Sequence, residues 1–276
     1  MAYVFINDLL VEQESAQISV FDHGLVAGDG VFEAIAVYNG TPFAVKRHLD
    51  RLTKSVVGIR LNAPDTKKIE AAIYDVVKAN ELTFGKVRIT YTAGNGPLGS
   101  DRQQTEPRII VASAPMSRAP VLSRVSVSPW TRNEFGVLAG LKTISYAENV
   151  VALDWALSQG SSEVIFGNTN GMLCEGSGSN IFVVVDDELI TPPLSSGCLA
   201  GVTRDLIVEY LGAREADVPM TELKSNNISE AFLSSSLREA QGISHFDEFA
   251  LKQAPGPITL EILRRFQELV KDNPNP

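Results

Sequence analysis

Two prolines five residues apart, in Ala114-Pro115-Met116-Ser117-Arg118-Ala119-Pro120, constrain this chain most. Neither proline can donate to a sheet ladder, and the residues around them are mostly small. The stretch therefore reads as an interdomain linker. A chain of 276 residues is long enough for two modest domains. The expected division is a small N-terminal domain over 1–115, a linker over 116–120 and a larger domain over 121–276.

Short strands open the first part: YVFIND, LVEQ and ISVFD, separated by Asn-Asp and Glu-Ser turn signals. VFEAIAVY and FAV flank Asn39-Gly40, the strongest short hairpin signal. From Val45 the period changes: Leu49, Leu52, Val56 and Ile59 recur at helical spacing, as do Ile69, Ile73, Val76 and Val77 over residues 66–80. The strands KVRITYTA and RIIVASA enclose a polar loop rich in Gly and Pro, of a length that usually serves function. Beyond the linker, strands are expected at VSVSPW, EVIFGN, SNIFVVV and ELITP. Helices are expected from Tyr146 to Gln159, at VTRDLIVEYLG and at ITLEILRRFQELVKD. The fold class is α+β.

A hydrophobic share of 44% with 21% charged residues excludes wholesale disorder. The net charge is −9 and no Lys/Arg-rich run appears, so a nucleic-acid partner is not expected. Nor is a membrane partner, since no apolar run approaches the ~20 residues a bilayer span needs. Cys174 and Cys198 are too few for a disulfide framework and are not spaced as a metal knuckle, so no metal is expected. The start of the chain does not read as a signal peptide, and the expected location is cytoplasmic.

Lys142 is the first candidate for chemistry. It follows Gly140-Leu141, with Ile144 close behind. A lysine ordinarily keeps to a solvated face. A weakly charged, apolar setting instead favours the free amine, the form that attacks a carbonyl in Schiff-base chemistry. Glu175 lies between an apolar strand and Gly176-Ser177-Gly178-Ser179, where a ligand can approach the backbone closely. A hairpin acid capped by Ser177 is the alternative. Gly201-Val202-Thr203 opens a helix and offers amides and a hydroxyl to an anion, with Thr203 as a plain N-cap the other reading. Ser234-Ser235-Ser236 ends the strand-like AFL, and Arg51 shares a helix face with His48.

In this order, Gly28-Asp29-Gly30-Val31-Phe32-Glu33, His48-x-x-Arg51-Leu52, Lys142-Thr143, Glu175-Gly176-x-x-Ser179-Asn180-Ile181-Phe182, Thr191-Pro192-Pro193, Leu199-x-Gly201-Val202-Thr203-Arg204 and Ser234-Ser235-Ser236 resemble one family. It is that of the fold-type IV pyridoxal-phosphate enzymes, among them branched-chain and D-amino-acid aminotransferases and 4-amino-4-deoxychorismate lyases. The resemblance runs from about residue 2 to 247. It implies a two-domain fold whose larger domain has a β-barrel-like core, pyridoxal 5'-phosphate as cofactor, and a homodimer. It also implies roles. Lys142 would form the Schiff base and shuttle the proton, and Glu175 would pair with the pyridine nitrogen. Arg51, the amides of Val202 and Thr203, Ser236 and Ser235 would hold the phosphate, with Asn180 beside the cofactor. Tyr146 would meet the phenolic oxygen, its alternative being an aromatic at the first turn of a helix.

For the substrate, strand period puts Arg88, Thr90 and Thr92 on one face and Val87, Ile89 and Tyr91 on the other. Arg88 is a candidate for a substrate carboxylate, with a solvent-facing arginine as the alternative. Phe32 stands where the family lines its pocket with Tyr or Phe, or else it is a core aromatic. Ala93 and Asn95 stand where D-amino-acid aminotransferases carry Arg and His. The expected activity is transamination between a small, hydrophobic amino acid or an amine and a 2-oxo acid. Release of 4-aminobenzoate and pyruvate from aminodeoxychorismate is the alternative, and an inactive scaffold a remote third.

Overall fold

The computed structural model describes residues 2–276. The chain forms two compact units. One comprises the residues up to Ser117 with Leu141–Tyr146 and Asn275; the other comprises Arg118–Gly140, Ala147–Pro274 and Pro276. The lysine segment Leu141–Tyr146 thus belongs to the first unit, although it follows the linker in sequence.

The first unit is an antiparallel sheet of six strands: β1 (Tyr3–Ile6), β2 (Leu9–Glu12), β3 (Gly30–Tyr38), β4 (Thr41–Pro42), β5 (Phe84–Thr92) and β6 (Arg108–Pro115). Their order is β2-β1-β6-β5-β3-β4. Helices α2 (Val45–Gly58) and α3 (Thr66–Ala79) follow the short α1 (His23–Val26). Their apolar stripes, Leu49, Leu52 and Val56 on one and Ile69, Ile73 and Val76 on the other, pack with Val31, Ile35, Val87 and Ile89 of the sheet. Asp65 starts α3 by accepting the Lys68 N–H at 3.1 Å. On β5, Val87, Ile89 and Tyr91 are buried as the period of two requires, and Arg88 is exposed.

The strand expected at ISVFD does not form. Ile18, Val20 and Phe21 are exposed, and Asp22 instead caps α1, accepting the Gly24 N–H at 2.8 Å. A side chain committed to a helix start takes this backbone out of the ladder.

The second unit carries nine strands: β7 (Leu122–Val127), β8 (Glu163–Gly167), β9 (Leu173–Gly176), β10 (Asn180–Val185), β11 (Glu188–Thr191), β12 (Arg214–Glu215), β13 (Ile228–Ser235), β14 (Glu239–Phe246) and β15 (Phe249–Ala250). Helices α4 (Ala147–Ser158), α5 (Val202–Leu211) and α6 (Pro257–Asp272) accompany them. The strand order is β12-β11-β10-β13-β14-β7-β8-β9, with β15 on β14. In a flat sheet, the five steps from β10 to β9 would cover roughly 24 Å. The chain joins these two strands through Ser177–Ser179, and four residue steps reach at most ~14 Å. The sheet must therefore curl into a half-barrel, with Ile165, Leu173, Ile181, Val183, Leu233 and Ile243 in its core.

Candidate active site

Lys142 lies outside any helix or strand, and main-chain bonds to the first unit hold it. Its N–H donates to Ser55 Oγ at 3.1 Å, and its carbonyl accepts the Phe32 N–H at 3.0 Å. Thr143 bridges to Val31 beside it. These bonds set the side chain against β3, with Lys142 Nζ 4.4 Å from the centre of the Phe32 ring. Arg88 also stacks on that ring, its Cζ 3.9 Å from the centre. The antiparallel register explains this: Phe32 faces Thr90 and Ala34 faces Arg88, so Phe32 and Arg88 are diagonal neighbours on one face. Tyr146, one residue ahead of α4, meets the same ring edge-on at 5.1 Å. One phenyl ring thus gathers the amine, the guanidinium and the phenol. Partial desolvation lowers the Arg88 pKa, and Tyr146 works against that shift.

On the opposite face of β3, Glu33 is fully buried. It accepts from Arg51 Nε at 2.8 Å, from Arg51 Nη2 at 2.7 Å and from His48 Nδ1 at 2.7 Å. The i, i+3 spacing of His48 and Arg51 on α2 lets both reach one carboxylate. These partners hold the Glu33 carboxyl well below the usual carboxylate range, although burial opposes them. His48 is pushed down from its ordinary value, by burial first, while its contact with Glu33 works the other way.

The loop between β5 and β6 is tied to the glycine-rich segment. Arg102 grips Asp29 through Nε at 2.6 Å and Nη2 at 2.5 Å. Ala93 is buried, and Asn95 accepts from Arg108 Nη2 at 3.2 Å. Positions 93 and 95 are thus filled by a core methyl and a loop amide.

In the second unit, Glu175 lies on β9 opposite Phe166. Its Oε2 accepts the Leu199 N–H at 2.9 Å, and its Oε1 is 3.7 Å from Arg132 Nε. Arg132 had no signal in the sequence, since an arginine in the loop TRNEFG reads as solvated. Its guanidinium is 4.4 Å from the centre of the Phe166 ring and donates to Asn149 Oδ1 at 3.1 Å. Among the described residues its Nε and Nη2 are buried without a hydrogen-bond partner. Asn180 Nδ2 donates to Leu199 O at 2.8 Å, so Asn180 and Glu175 both fix Leu199, just ahead of α5.

Val202 and Thr203 are the first two residues of α5, and the N-cap Gly201 gives them no side-chain cap. Ser235 Oγ accepts the N–H groups of Leu237 and Arg238 at 3.3 and 3.1 Å, which shapes the turn carrying Ser236. Ser234 Oγ is buried without a partner among the described residues.

Each unit offers donors that suit part of a phosphorylated pyridine aldehyde. An uncapped helix start and a run of serine hydroxyls suit a phosphate dianion. A carboxylate steadied by an amide and a guanidinium suits a protonated ring nitrogen, and a lysine amine suits the carbonyl.

The family model for amino-transferase class IV matches residues 30–246. The chain is 30% identical to a putative branched-chain-amino-acid aminotransferase of Methanocaldococcus jannaschii, over 96% of each protein. It is also 30% identical to a D-alanine aminotransferase of Listeria innocua, over 96% of this chain and 95% of the relative. A crystal structure of the branched-chain aminotransferase of the thermophilic archaeon Thermoproteus uzoniensis, with norvaline, superposes with a TM-score of 0.91 at 28% identity. That match covers 99% of this chain and 97% of the other. No helix among the described residues is long and apolar enough to cross a membrane.

Proposed function

This chain belongs to the class IV aminotransferases, the fold-type IV pyridoxal-phosphate family, and on that premise we propose that it moves an amino group between a monocarboxylic, hydrophobic amino acid and a 2-oxo acid. The observation that carries this reading is the Phe32 ring, with the Lys142 amine 4.4 Å and the Arg88 guanidinium 3.9 Å from its centre. One guanidinium beside an apolar ring suits one carboxylate and an aliphatic side chain. Aminodeoxychorismate, with two carboxylates, would call for a second cation. The names of the branched-chain relatives support the same substrate class, as does norvaline, an aliphatic monocarboxylic amino acid, in the archaeal structure.

When bound, pyridoxal 5'-phosphate supplies a carbonyl for the amine and an electron-withdrawing ring. Lys142 Nζ accepts and returns the substrate Cα proton, and needs to be a free amine to do so. Glu175 is held ready by Leu199 N–H and Arg132 to accept a hydrogen bond from the ring nitrogen. The amides of Val202 and Thr203, with Ser235 and Ser236, would hold the phosphate, Arg51 is the cation we assign to it, and Tyr146 would meet the phenolic oxygen. Asn180 fixes Leu199 at the approach to those amides.

Arg51→Ala is expected to destabilise the first unit, since it strips the buried Glu33 carboxylate of its two-bond partner, and also to weaken cofactor binding by roughly ten- to a hundred-fold, the worth of a charge-assisted phosphate contact. The rate at saturating cofactor should change little. Titration of the variant with pyridoxal 5'-phosphate measures this, and an unchanged affinity would remove Arg51 from the phosphate site. Arg88→Ala should lower kcat/KM for an aliphatic amino acid by roughly 2–4 kcal/mol of transition-state stabilisation, with the cofactor spectrum unaltered.

The deciding experiment is a panel of amino donors of both hands with 2-oxoglutarate and pyruvate, run beside an assay for 4-aminobenzoate. Exchange of amino groups is expected. Release of 4-aminobenzoate without exchange would make the protein a lyase.

The assembly we propose is a homodimer. On helix α4, Ala152 and Ala156 are buried, whereas Val150 and Val151 remain 63% and 58% exposed in the single chain. Trp130, Phe135 and Val137 on the preceding loop are exposed as well. A second copy of the chain is the partner we assign to this face, and sedimentation velocity is the measurement.

A further inference from the structure

Glu163 is a carboxylate without a part in the chemistry described so far, and it is 1% exposed. It stands on β8 and accepts hydrogen bonds from two loops. One is the connection from β9 to β10: Ser177 N–H donates to Oε1 at 3.1 Å, Ser177 Oγ–H donates to the same oxygen, and Ser179 Oγ–H donates to Oε2 at 3.1 Å. The other is the turn between β13 and β14, from which Arg238 Nη2 reaches Oε2 at 3.3 Å. The fifth donor is the N–H of the adjacent Val164, at 3.0 Å.

The backbone is fitted to this arrangement. A Cβ at Gly176 would stand 3.2 Å from Glu163 Cδ, so a side chain there would crowd the carboxylate. Arg238 is fixed in turn, since its N–H donates to Ser235 Oγ at 3.1 Å and its side chain donates to Gln241. The β9–β10 connection follows Glu175 directly and ends at Asn180. The β13–β14 turn contains Ser236 and follows Ser235, the last residue of β13. A single buried carboxylate therefore joins the segment bearing the proposed ring-nitrogen partner to the segment bearing the proposed phosphate hydroxyls.

We propose that Glu163 is a positioning residue that, through Ser177, Ser179 and Arg238, holds these two loops in the spacing the cofactor needs. The proposal rests on the reading of Glu175, Ser235 and Ser236 as cofactor contacts. A buried acceptor shared by several donors has a defined geometry that a neutral amide cannot reproduce, because its NH2 group would face hydroxyl and guanidinium donors.

The test compares the wild type with Glu163→Gln, Arg238→Met and the double variant, each as the full chain loaded with pyridoxal 5'-phosphate. Each protein is dialysed and titrated back, following the cofactor absorption band and tryptophan fluorescence. Glu163→Gln is expected to bind about tenfold more weakly and with a displaced band. Arg238→Met, partly exposed and well placed to fold, should shift the affinity in the same direction. The double variant should be little worse than Glu163→Gln alone, as members of one network are. Lower thermal stability with wild-type affinity and band would make Glu163 merely structural and overturn the inference. Absence of saturable binding by the wild type would overturn the cofactor reading along with it.

Discussion

Replacing Lys142 by alanine is expected to lower amino-group exchange by roughly 10²- to 10⁴-fold, the range for losing a positioned proton carrier, with the fold kept. The expectation of an intact fold follows from where the bonds lie. Ser55 and Phe32 hold Lys142 through its N–H and its carbonyl, and alanine retains both groups. What the side chain adds is its approach to the Phe32 ring, with Nζ 4.4 Å from the ring centre. Circular dichroism should therefore match the wild type while turnover collapses. Borohydride reduction of the wild type followed by peptide mapping should label the peptide containing Lys142. Label on another lysine would move the chemistry elsewhere.

Glu33→Gln is expected to destabilise the first unit by roughly 3–5 kcal/mol, the cost of removing one partner from a buried ion pair. The side chain keeps its volume, so the loss is electrostatic: Arg51 gives up a two-bond grip and His48 its acceptor. Denaturant titration reads this directly. The pH dependence has a fixed sign. Glu33 is held below its ordinary value of 4.5 and His48 below 6.5, so in both cases the unfolded chain binds more protons than the folded one. Stability should fall as pH drops below about 6.5, where His48 of the unfolded chain takes up a proton. It should fall more steeply below about 4.5, where Glu33 does the same. In Glu33→Gln the steeper lower limb should flatten; a limb of unchanged slope would assign acid sensitivity to other groups.

Helices α2 and α3 were legible because their buried residues recur at one spacing and nothing interrupts them. The face alternation of β5 was legible for the same reason, and it put Arg88 on the side where the structure has it. Strand β14 was missed. Its sequence, EAQGISHF, buries Glu239 and Gln241 and has a glycine in its middle, a pattern that reads as loop when the partner strands are unseen. The candidate residues of the site were readable as motifs, but the side chains they pair with were not. Arg51 is recognisable in its helix, whereas the carboxylate that grips it lies 18 residues away on a strand. Arg132 and Glu163 carry ordinary charges in ordinary surroundings. Only the fold shows that one approaches Glu175 and that the other is sealed from water. Local periodicity reports burial on a single element; long-range ion pairs leave no periodic trace.

The place of Leu141–Tyr146 has a consequence for how the protein is made. The first unit does not end at Ser117: its next piece, which brings Lys142, is translated only after Arg118–Gly140 of the other unit. The nascent first unit must wait for that piece with Ser55 Oγ and the Phe32 N–H unmatched by their final partners. A gene split at the linker would for the same reason yield an amino-terminal fragment lacking the lysine, and a carboxy-terminal fragment carrying it without the strand that positions it.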